Sequence, residues 1–241
     1  MRTGIVIQSR MGSSRFPGKV LAALGSRTML RALLNRLARI AYVDELIVAT
    51  SDARDDDAIA IACASAGVNT FRGSESDVLQ RYADAAEAYR LDVIIRVCAD
   101  SPLTDPEGIA KLMRIHAEGD TRFVSNRRPT GWPIGTAADL MTYDALQEAA
   151  DEAEQADHRE HVVPFLFANA DRFSVRTLDA PPELYRPRYF LAVDHPEHLE
   201  ALNVLSREFG EAELERASLQ EMLAFIDTHS AVQAGLLNNE H

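Results

Sequence analysis

The stretch that decides the fold is residues 4–19, GIVIQSRMGSSRFPGK. Its first four residues, Gly4–Ile7, are a continuous apolar run, which predicts a short strand buried on both faces of a parallel sheet. A loop with glycines and cations follows, and leucines then recur at helical spacing between Leu30 and Leu37. The stretch therefore predicts a strand, a loop and a helix, the repeating unit of an α/β fold.

Further apolar runs and helical patterns continue this alternation. The other runs that predict buried strands are Glu45–Ala49, Asp92–Val97 and Tyr189–Val193. Helical spacing covers Leu79–Tyr89, a segment capped by Asp105 that runs to about Glu118, and Leu219–Ile226. The order predicts an α/β fold with a mostly parallel, Rossmann-like sheet flanked by helices. Ligands of such sheets bind beyond the carboxyl ends of the strands.

The alternation breaks between about residues 121 and 190. Strand-like runs at Phe123–Asn126 and Ala137–Thr142 bracket a loop, and a helix at about His158–Asn169 and a strand-like run at Phe173–Leu178 follow. We interpret this region as a small inserted antiparallel subregion that covers one edge of the sheet. Because the chain has no linker and no low-complexity tract, we predict one domain over residues 1–241.

Composition limits the class of protein. The chain has 241 residues, of which 46% are hydrophobic and 26% charged, as is usual for a soluble globular protein. It lacks a run of ~18 apolar residues that would span a membrane, and its start has too few apolar residues for a signal peptide. The two cysteines, Cys63 and Cys98, fit a reducing compartment, so we expect a cytoplasmic protein.

Charge is distributed unevenly. Residues 1–43 contain eight Arg and Lys and no acidic residue, whereas the rest of the chain has 17 basic residues against 37 acidic ones. An acidic body repels nucleic acid, so nucleic-acid binding is not expected. A basic segment on an acidic body suits a small bound anion. The alternative, an organellar transit peptide, fits poorly because the segment also predicts a strand, a turn and a helix.

The loop after the first strand is a candidate phosphate site. It contains Arg10, Arg15 and Lys19 together with Gly12 and Gly18. Glycine lets backbone amides approach an anion, arginine grips phosphate oxygens as a fork, and lysine adds a point charge. The spacing matches neither the Walker A nor the G-x-G-x-x-G motif. The alternative is a solvated turn with incidental charges.

Residues 7–21, IQSRMGSSRFPGKVL, closely resemble the signature of cytidylyltransferases related to the CMP-Kdo and CMP-acylneuraminate synthetases. The spore-coat polysaccharide biosynthesis branch is the most similar. Weaker likenesses follow in the expected order at residues 73–82, 96–106, 125–126, 159–162 and 193–199. The resemblance implies a nucleotide-diphospho-sugar transferase-like fold, CTP as substrate, Mg²⁺ as cofactor, an acidic acceptor and a homodimer through residues 121–190.

Two aspartates are candidate metal ligands. Asp100 follows the third predicted strand by three residues, and Asp194 directly follows Val193. Carboxylates at strand ends suit Mg²⁺, although each could instead cap a helix or a turn. The resemblance implies that both bind the metal. If they share one ion at ~2.1 Å, their oxygens should lie within ~4.2 Å of each other. Ala99 replaces the glycine usual in this family.

The resemblance also implies the remaining site residues. The catalytic residues are Arg10, Arg15, Lys19 and Asp100. The nucleotide-binding residues are Gln8, Ser9, Arg10, Gly12, Ser13, Arg15, Lys19, Arg72, Ser74, Asp77 and Arg81. The acceptor-binding residues are Ser125, Asn126, Asp139, Arg159, Glu160 and His161. Asp139 stands where relatives tend to have Glu. For residues 72–77, a capped helix start is the alternative.

The sequence favours a Mg²⁺-dependent transfer of CMP from CTP to an acidic sugar or similar acceptor, with release of pyrophosphate. One alternative is a glycosyltransferase, whose Asp-x-Asp spacing occurs at Asp55–Asp57. Another is a nucleotide-binding relative without turnover. The spacing of His158 and His161 argues against zinc, Cys98 suits a buried thiol, and Trp132 suits packing or a dimer contact.

Overall fold

A seven-stranded sheet forms the centre of the chain in a computed structural model that describes residues 1–127 and 129–237. Its strands are β1 (Thr3–Gln8), β4 (Glu45–Ser51), β5 (Asn69–Gly73), β6 (Val93–Cys98), β7 (Phe123–Ser125), β8 (Asp139–Thr142) and β9 (Val175–Thr177). Their order is β5-β4-β1-β6-β8-β7-β9. β8 pairs antiparallel with both neighbours, and the other pairings are parallel. A separate antiparallel pair joins β2 (Ala23–Leu24) and β3 (Arg27–Thr28).

The helices cover both faces of the sheet and extend beyond one end. They are α1 (Met29–Leu37), α2 (Asp57–Ala66), α3 (Val78–Ala88), α4 (Pro106–Ala117), α5 (Tyr143–Glu152), α6 (Ala156–His161), α7 (Pro164–Ala168), α8 (Pro196–Phe209), α9 (Glu211–Arg216), α10 (Leu219–Thr228) and α11 (Ser230–Leu236). Local chemistry sets their starts. Asp105, for example, accepts hydrogen bonds from the amides of Glu107 and Gly108 ahead of α4.

The alternation of side chains along β1 divides the core. Val6 packs on one face of the sheet with Tyr82 of α3, whereas Ile5 and Ile7 pack on the other with Leu33 of α1. A third buried cluster joins the C-terminal helices to the loop that contains Trp132. The predicted α/β fold with a mostly parallel sheet is confirmed.

The predicted strand at Tyr189–Val193 is wrong. The segment makes isolated bridges, and its backbone bonds go to loops: Leu191 N donates to Ile134 O, and Val193 N donates to Asp100 O. The physical reason lies in β6, whose two edges are already paired with β1 and β8. The apolar run is buried as expected, but the sheet offers it no edge beside β6.

The region from 121 to 190 extends the same sheet past β6. β7 and β8 confirm the two runs that bracket a loop, and β9 occupies the middle of the run Phe173–Leu178. The continuous helix predicted at His158–Asn169 is instead two helices, α6 and α7. The break falls at Val162, whose φ of 69° is unfavourable for a β-branched residue, two residues before Pro164.

Across residues 1–127 and 129–237, we find no helix with both the length and the apolar character needed to cross a bilayer.

Candidate active site

The first loop and the ends of β1 and β6 border a cleft of about 390 Å³. It lies where the ends of parallel strands place their following loops, as expected for an α/β sheet. The predicted site residues that line it are Gln8, Ser9, Arg10, Ser13, Arg15, Lys19, Arg81, Asp100, Glu160, His161 and Asp194. The fold therefore brings most of the proposed nucleotide site and both proposed metal ligands together.

The first loop is folded on itself and held from outside. The carbonyl oxygen of Met11 accepts hydrogen bonds from the amides of Ser13 and Gly18, each at 2.9 Å. Gly18 has a φ of 72°, which favours glycine, and it directly precedes the helical turn Lys19–Leu21. The loop is thereby a defined turn that delivers Lys19 into the cleft.

Asp56 anchors the start of this loop. Its Oδ1 accepts from Met11 N at 2.7 Å, while its Oδ2 accepts from Thr50 and from both the backbone and the hydroxyl of Ser51. Burial of the Asp56 carboxyl opposes ionisation, but these hydrogen bonds outweigh it and lower its pKa. Asp56 thus makes structural contacts, Asp57 forms an ion pair with Arg72, and the Asp-x-Asp pair Asp55 and Asp57 does not line the cleft.

Lys19 is the centre of the site. Its ammonium donates to Asp100 Oδ2 at 3.2 Å, to Asp194 Oδ1 at 3.1 Å and to the carbonyl oxygen of Val193 at 2.5 Å. The Lys19 side chain is 10% exposed, whereas those of Asp100 and Asp194 are 33% and 28% exposed. One buried cation therefore holds two carboxylates that remain open to the cleft.

Two arginines complete the basic side of the cleft. Arg15 lies 3.4 Å from Asp194 Oδ2, and Arg10 donates to Glu160 Oε1 at 2.8 Å. Both arginine side chains are about half exposed, at 59% and 41%. Ion pairs with this exposure are weak, so a phosphate can displace the carboxylates from the arginines at small cost.

Asp194 is positioned without a strand of the sheet. Val193 N donates to the carbonyl oxygen of Asp100 at 2.8 Å, which ties the two aspartate segments together. The imidazole of His198, in the first turn of α8, accepts from Asp194 N at 3.2 Å. The convergence of Asp100 and Asp194 thus depends on loop-to-loop bonds and on the start of α8.

The two aspartates fit a magnesium ion. Mg²⁺ in phosphoryl-transfer sites takes one or two carboxylates and completes its shell with water and substrate phosphates. Asp100 and Asp194 supply this number of carboxylates around the point where a cation, the Lys19 ammonium, already lies. Among residues 1–127 and 129–237, no group of three or more His, Cys, Asp or Glu is arranged to hold a metal ion, so the two aspartates would depend on water and substrate phosphates for the other ligands.

Several buried polar atoms at the cleft lack a partner. Ser9 Oγ, Arg81 Nε and Arg96 Nε are buried without a hydrogen-bond partner among the described residues, and all three residues line the cleft. Burial lowers the pKa of Arg81, and the charge of Arg10 contributes in the same direction. Buried polar groups are normally paired, so these atoms point to a polar ligand in the cleft.

Not every predicted nucleotide-binding residue reaches the cleft. Arg72 instead binds the carbonyl oxygens of Ser51 and Ala53. Asp77 caps α3, and Ser74 Oγ accepts from the Asp77 amide, which matches the capped helix start that the sequence left open. Gly12 also lies outside the cleft lining, and the space beside it would admit a side chain. A role in nucleotide binding remains a prediction for these residues.

The predicted acceptor residues fall into two groups. Glu160 and His161 line the cleft, whereas Ser125, Asn126, Asp139 and Arg159 do not. Arg159 binds Asp77 and the carbonyl oxygens of Ala150 and Ala153, so it joins α6 to α3 and α5. Asn126 Oδ1 accepts from Ala138 N at 2.8 Å. A direct contact of these four residues with an acceptor remains a prediction.

Asp139 belongs to a buried cluster that the sequence did not reveal. It accepts from Arg96 at 2.9 Å, from Arg127 Nη2 at 3.0 Å and from Ser125 Oγ at 2.6 Å. Burial opposes ionisation of Asp139, but the two guanidiniums and Ser125 outweigh it and lower its pKa. The carboxylate is therefore charged and fully enclosed.

Arg96 and Arg127 are cleft residues that the sequence analysis missed. A signal was present for Arg96, since a charged residue inside the apolar run Asp92–Val97 needs a buried counter-charge. Phe190 and Gly135 also line the cleft. Gly135 has a φ of 90°, and a Cβ there would lie 2.4 Å from Ala192 N, so this wall requires glycine.

Trp132 and Cys63 are buried packing residues, whereas Cys98 is not. Trp132 is 2% exposed, and its indole nitrogen donates to Leu178 O at 2.9 Å. It therefore packs inside the chain, the first of the two roles left open for it. Cys63 and Cys98 are both thiols, and Cys98 is partly exposed at the end of β6, where a buried thiol was expected.

An α/β sheet with a cationic loop and two carboxylates that meet at the ends of its strands suits nucleotidyl transfer, the class to which the comparisons also point. The model of the cytidylyltransferase family matches residues 4–224, and the chain belongs to this family. It is therefore a CTP-dependent nucleotidyltransferase, and the resemblance found in the sequence is confirmed.

Individual relatives agree with the family. The spore coat polysaccharide biosynthesis protein SpsF of Bacillus subtilis (strain 168) is 33% identical over 213 residues, which are 86% of this chain and 87% of SpsF. The 3-deoxy-manno-octulosonate cytidylyltransferase of Anaeromyxobacter sp. (strain Fw109-5) is 36% identical over 131 residues, 53% of this chain and 52% of that enzyme. The structure of a cytidylyltransferase from Leptospira borgpetersenii serovar Hardjo-bovis (strain JB197) superimposes with a TM-score of 0.91 at 28% identity and covers 100% of this chain and 98% of its own.

Proposed function

We propose that this enzyme transfers CMP from CTP to a hydroxyl of an acidic sugar, with Mg²⁺ as cofactor. The hydroxyl oxygen forms a bond to the α-phosphorus, the bond from that phosphorus to the bridging oxygen breaks, and pyrophosphate leaves. The electrons of the broken bond go to the pyrophosphate oxygen, and the hydroxyl proton goes to water. The observation that carries the proposal is the convergence of Lys19, Asp100 and Asp194 at one point of the cleft.

The residues of the first loop would act on the triphosphate. Arg10 and Arg15 reach the open side of the cleft, and Lys19 lies deeper. Their positive charges stabilise the negative charge that moves onto pyrophosphate as it leaves, and this charge grows most in the transition state. Positioning and electrostatics supply the rate enhancement, so a covalent enzyme intermediate is not required.

Asp100 and Asp194 would hold the magnesium ion, which neutralises phosphate charge when it is bound. In the structure their carboxylates hold the Lys19 ammonium instead. When the ammonium moves from the carboxylates to the phosphate oxygens, it exchanges one ion pair for another. Lys19 would thus have an anionic partner in both states, the two carboxylates without nucleotide and the phosphates with it.

The acceptor would bind on the β6–β8–β7 side of the cleft, opposite the first loop. Support comes from Arg96 and Arg127, which line this part and favour an anionic molecule. The relative named 3-deoxy-manno-octulosonate cytidylyltransferase acts, by its name, on a sugar acid.

We also propose a homodimer through residues 121–190 and a cytoplasmic location. A monomer mass of 26.6 kDa in light scattering would contradict the dimer.

A thermal-shift panel tests the nucleotide part of the proposal. CTP, UTP, GTP, ATP and dTTP are each added with and without Mg²⁺. A ligand at about 100 times its dissociation constant adds ~2.7 kcal/mol of stability, which for a chain of this size raises Tm by about 5 to 10 °C. We expect the largest shift with CTP and Mg²⁺ together. Equal shifts with all five nucleotides would show that the site does not select the cytosine base.

Lys19→Ala tests the centre of the site. We expect turnover, measured as pyrophosphate release from CTP with a panel of sugar acids, to fall by about 10²- to 10³-fold, as is usual when a preorganised charge partner is removed. The chain contains one other lysine, Lys111, which lies outside the cleft lining, so Lys111→Ala is the matched control. Unchanged turnover of a folded Lys19→Ala variant would show that Lys19 has no role.

A further inference from the structure

The cluster around Asp139 is unbalanced in charge. Two guanidiniums, those of Arg96 and Arg127, share the single carboxylate of Asp139. The lowered pKa of Asp139 keeps it ionised, so the cluster carries one net positive charge. A positive charge beside a buried ion pair attracts an anion more strongly than it would in bulk water, because the surrounding dielectric is low.

Arg96 and Arg127 differ in their access to the cleft. The side chain of Arg96 is 5% exposed and lies along β6, whereas that of Arg127 is 36% exposed. Asp139 accepts hydrogen bonds from Nε and Nη2 of Arg127 and thereby fixes the plane of its guanidinium. Arg127 is thus an oriented, accessible cation, because its carboxylate partner is inside the protein rather than in the cleft.

The surroundings of Arg127 support a bound ligand. Arg96 Nε is buried and has no hydrogen-bond partner among residues 1–127 and 129–237, and Arg96 lines the same cleft as Arg127. The amide of Arg127 donates to Ser125 Oγ, which in turn donates to Asp139. The backbone and the side chain of Arg127 are therefore both tied to Asp139.

We propose that Arg127 binds the carboxylate of the acceptor and determines its selection, with Asp139 as the residue that positions it. This inference rests on the proposed function, since it assigns the acid group of the acceptor to a particular side chain. A planar guanidinium matches a carboxylate with two parallel hydrogen bonds. Asp139 acts from behind and does not touch the acceptor.

The test compares sugar acids with their methyl esters, which differ only in the charge of the carboxyl group. N-acetylneuraminate, Kdo and glucuronate, each with its ester, are titrated into wild type, Arg127→Gln and Arg127→Lys, with and without CTP and Mg²⁺. Arg127→Gln should fold, because it leaves Asp139 paired with Arg96 alone. Arg176→Gln is the control, since Arg176 is an exposed arginine of β9 that does not line the cleft.

We expect at least one acid to bind wild type more tightly than its ester does. Arg127→Gln should weaken binding of that acid about 10- to 100-fold and leave the affinity for CTP within about twofold. Arg127→Lys keeps the positive charge but not the planar guanidinium, so its affinity for the acid should lie between those of wild type and Arg127→Gln. Arg176→Gln should bind the acid as wild type does. In turnover, the loss should appear mainly in the KM for the acid.

Three results would overturn the inference: equal binding of the acid by wild type and Arg127→Gln, no preference of wild type for any acid over its ester, or an equal loss of CTP binding in Arg127→Gln. The last result would assign Arg127 to the nucleotide. If CTP fails to stabilise wild type, the proposed function is wrong. The comparison of acid with ester in the absence of nucleotide still decides the role of Arg127.

Discussion

The two sides of the cleft hold their charges in opposite ways. On the side of the first loop, where we propose that the nucleotide binds (the nucleotide side), Arg10 and Glu160 are 41% and 34% exposed, and the carboxylates around Lys19 are also open to solvent. On the side of β6, β8 and β7, where we propose that the acceptor binds (the acceptor side), Arg96 and Asp139 are 5% and 0% exposed. One side therefore has ion pairs that water can reach, whereas the other has a cluster that is dry at Arg96 and Asp139 and open only at Arg127, which is 36% exposed.

Because of this difference, the ion pairs on the two sides have different roles. Exposed ion pairs contribute about 0 to 1 kcal/mol each, so phosphates and a metal ion can replace them. Removal of one member of a buried pair leaves an uncompensated charge and costs several kcal/mol. The nucleotide side is therefore suited to changing partners during a reaction cycle, and the acceptor side to holding one shape.

The largest expected effect tests the dry cluster. Asp139→Asn removes the counter-charge of two guanidiniums and should lower the free energy of unfolding by about 3 to 5 kcal/mol. Asp144→Asn is the control, because Asp144 forms an ion pair with Arg122 but is 66% exposed. Its loss should stay below about 1 kcal/mol. Urea denaturation measures both, and equal losses would show that the cluster is not dry.

A prediction of intermediate size tests Asp56, which anchors the start of the first loop. Asp56→Asn weakens charge-assisted hydrogen bonds to Met11, Ser51 and Thr50 and should lower the free energy of unfolding by about 2 kcal/mol at pH 7. Because the pKa of Asp56 is lowered in the folded chain, its contribution is present above the unfolded pKa of about 3.9 and is lost as the pH falls below it.

Denaturation curves at pH 7 and pH 3 check this direction. The stability difference between wild type and Asp56→Asn should shrink at pH 3. A difference that is constant with pH would show that the Asp56 carboxylate acts through shape alone.

The smallest expected effect tests an exposed pair. Glu160→Gln releases Arg10 from its carboxylate partner. We expect CTP to bind up to about fivefold more tightly, since the pair is worth less than about 1 kcal/mol. Glu154→Gln, at an exposed position just before α6, is the control. Weaker binding of CTP by Glu160→Gln would mean that Glu160 contacts the nucleotide complex itself.

Short-range patterns made much of the fold predictable. The apolar run Gly4–Ile7, the leucine spacing from Leu30 to Leu37 and the cap at Asp105 all act within one or two turns of chain. The strand at 189–193 could not be excluded in this way, because all of its residues except the partly exposed Phe190 are buried, as a strand's would be. Whether such a run joins a sheet depends on which strand edges are already paired.

The candidate site also contains residues that local sequence predicts and residues that depend on distant contacts. Arg10, Arg15 and Lys19 lie in one loop and were found from their own segment. Arg127 was missed because an arginine in a loop gives no local signal of a buried partner 12 residues away on β8. Ser74 and Asp77 show the converse, since a motif assigned by resemblance also serves as an ordinary helix cap.

The amino-acid sequence by itself determined the α/β class, the first loop and the cytidylyltransferase family, because these depend on residues close together in the chain. Only the tertiary structure decided that Lys19 meets Asp100 and Asp194, which are 81 and 175 residues away. It also decided that Arg127 stays partly exposed to the cleft whereas Arg96 is enclosed. Contacts of this range depend on how the strands are ordered in the sheet, a property of the packed chain and not of any single segment.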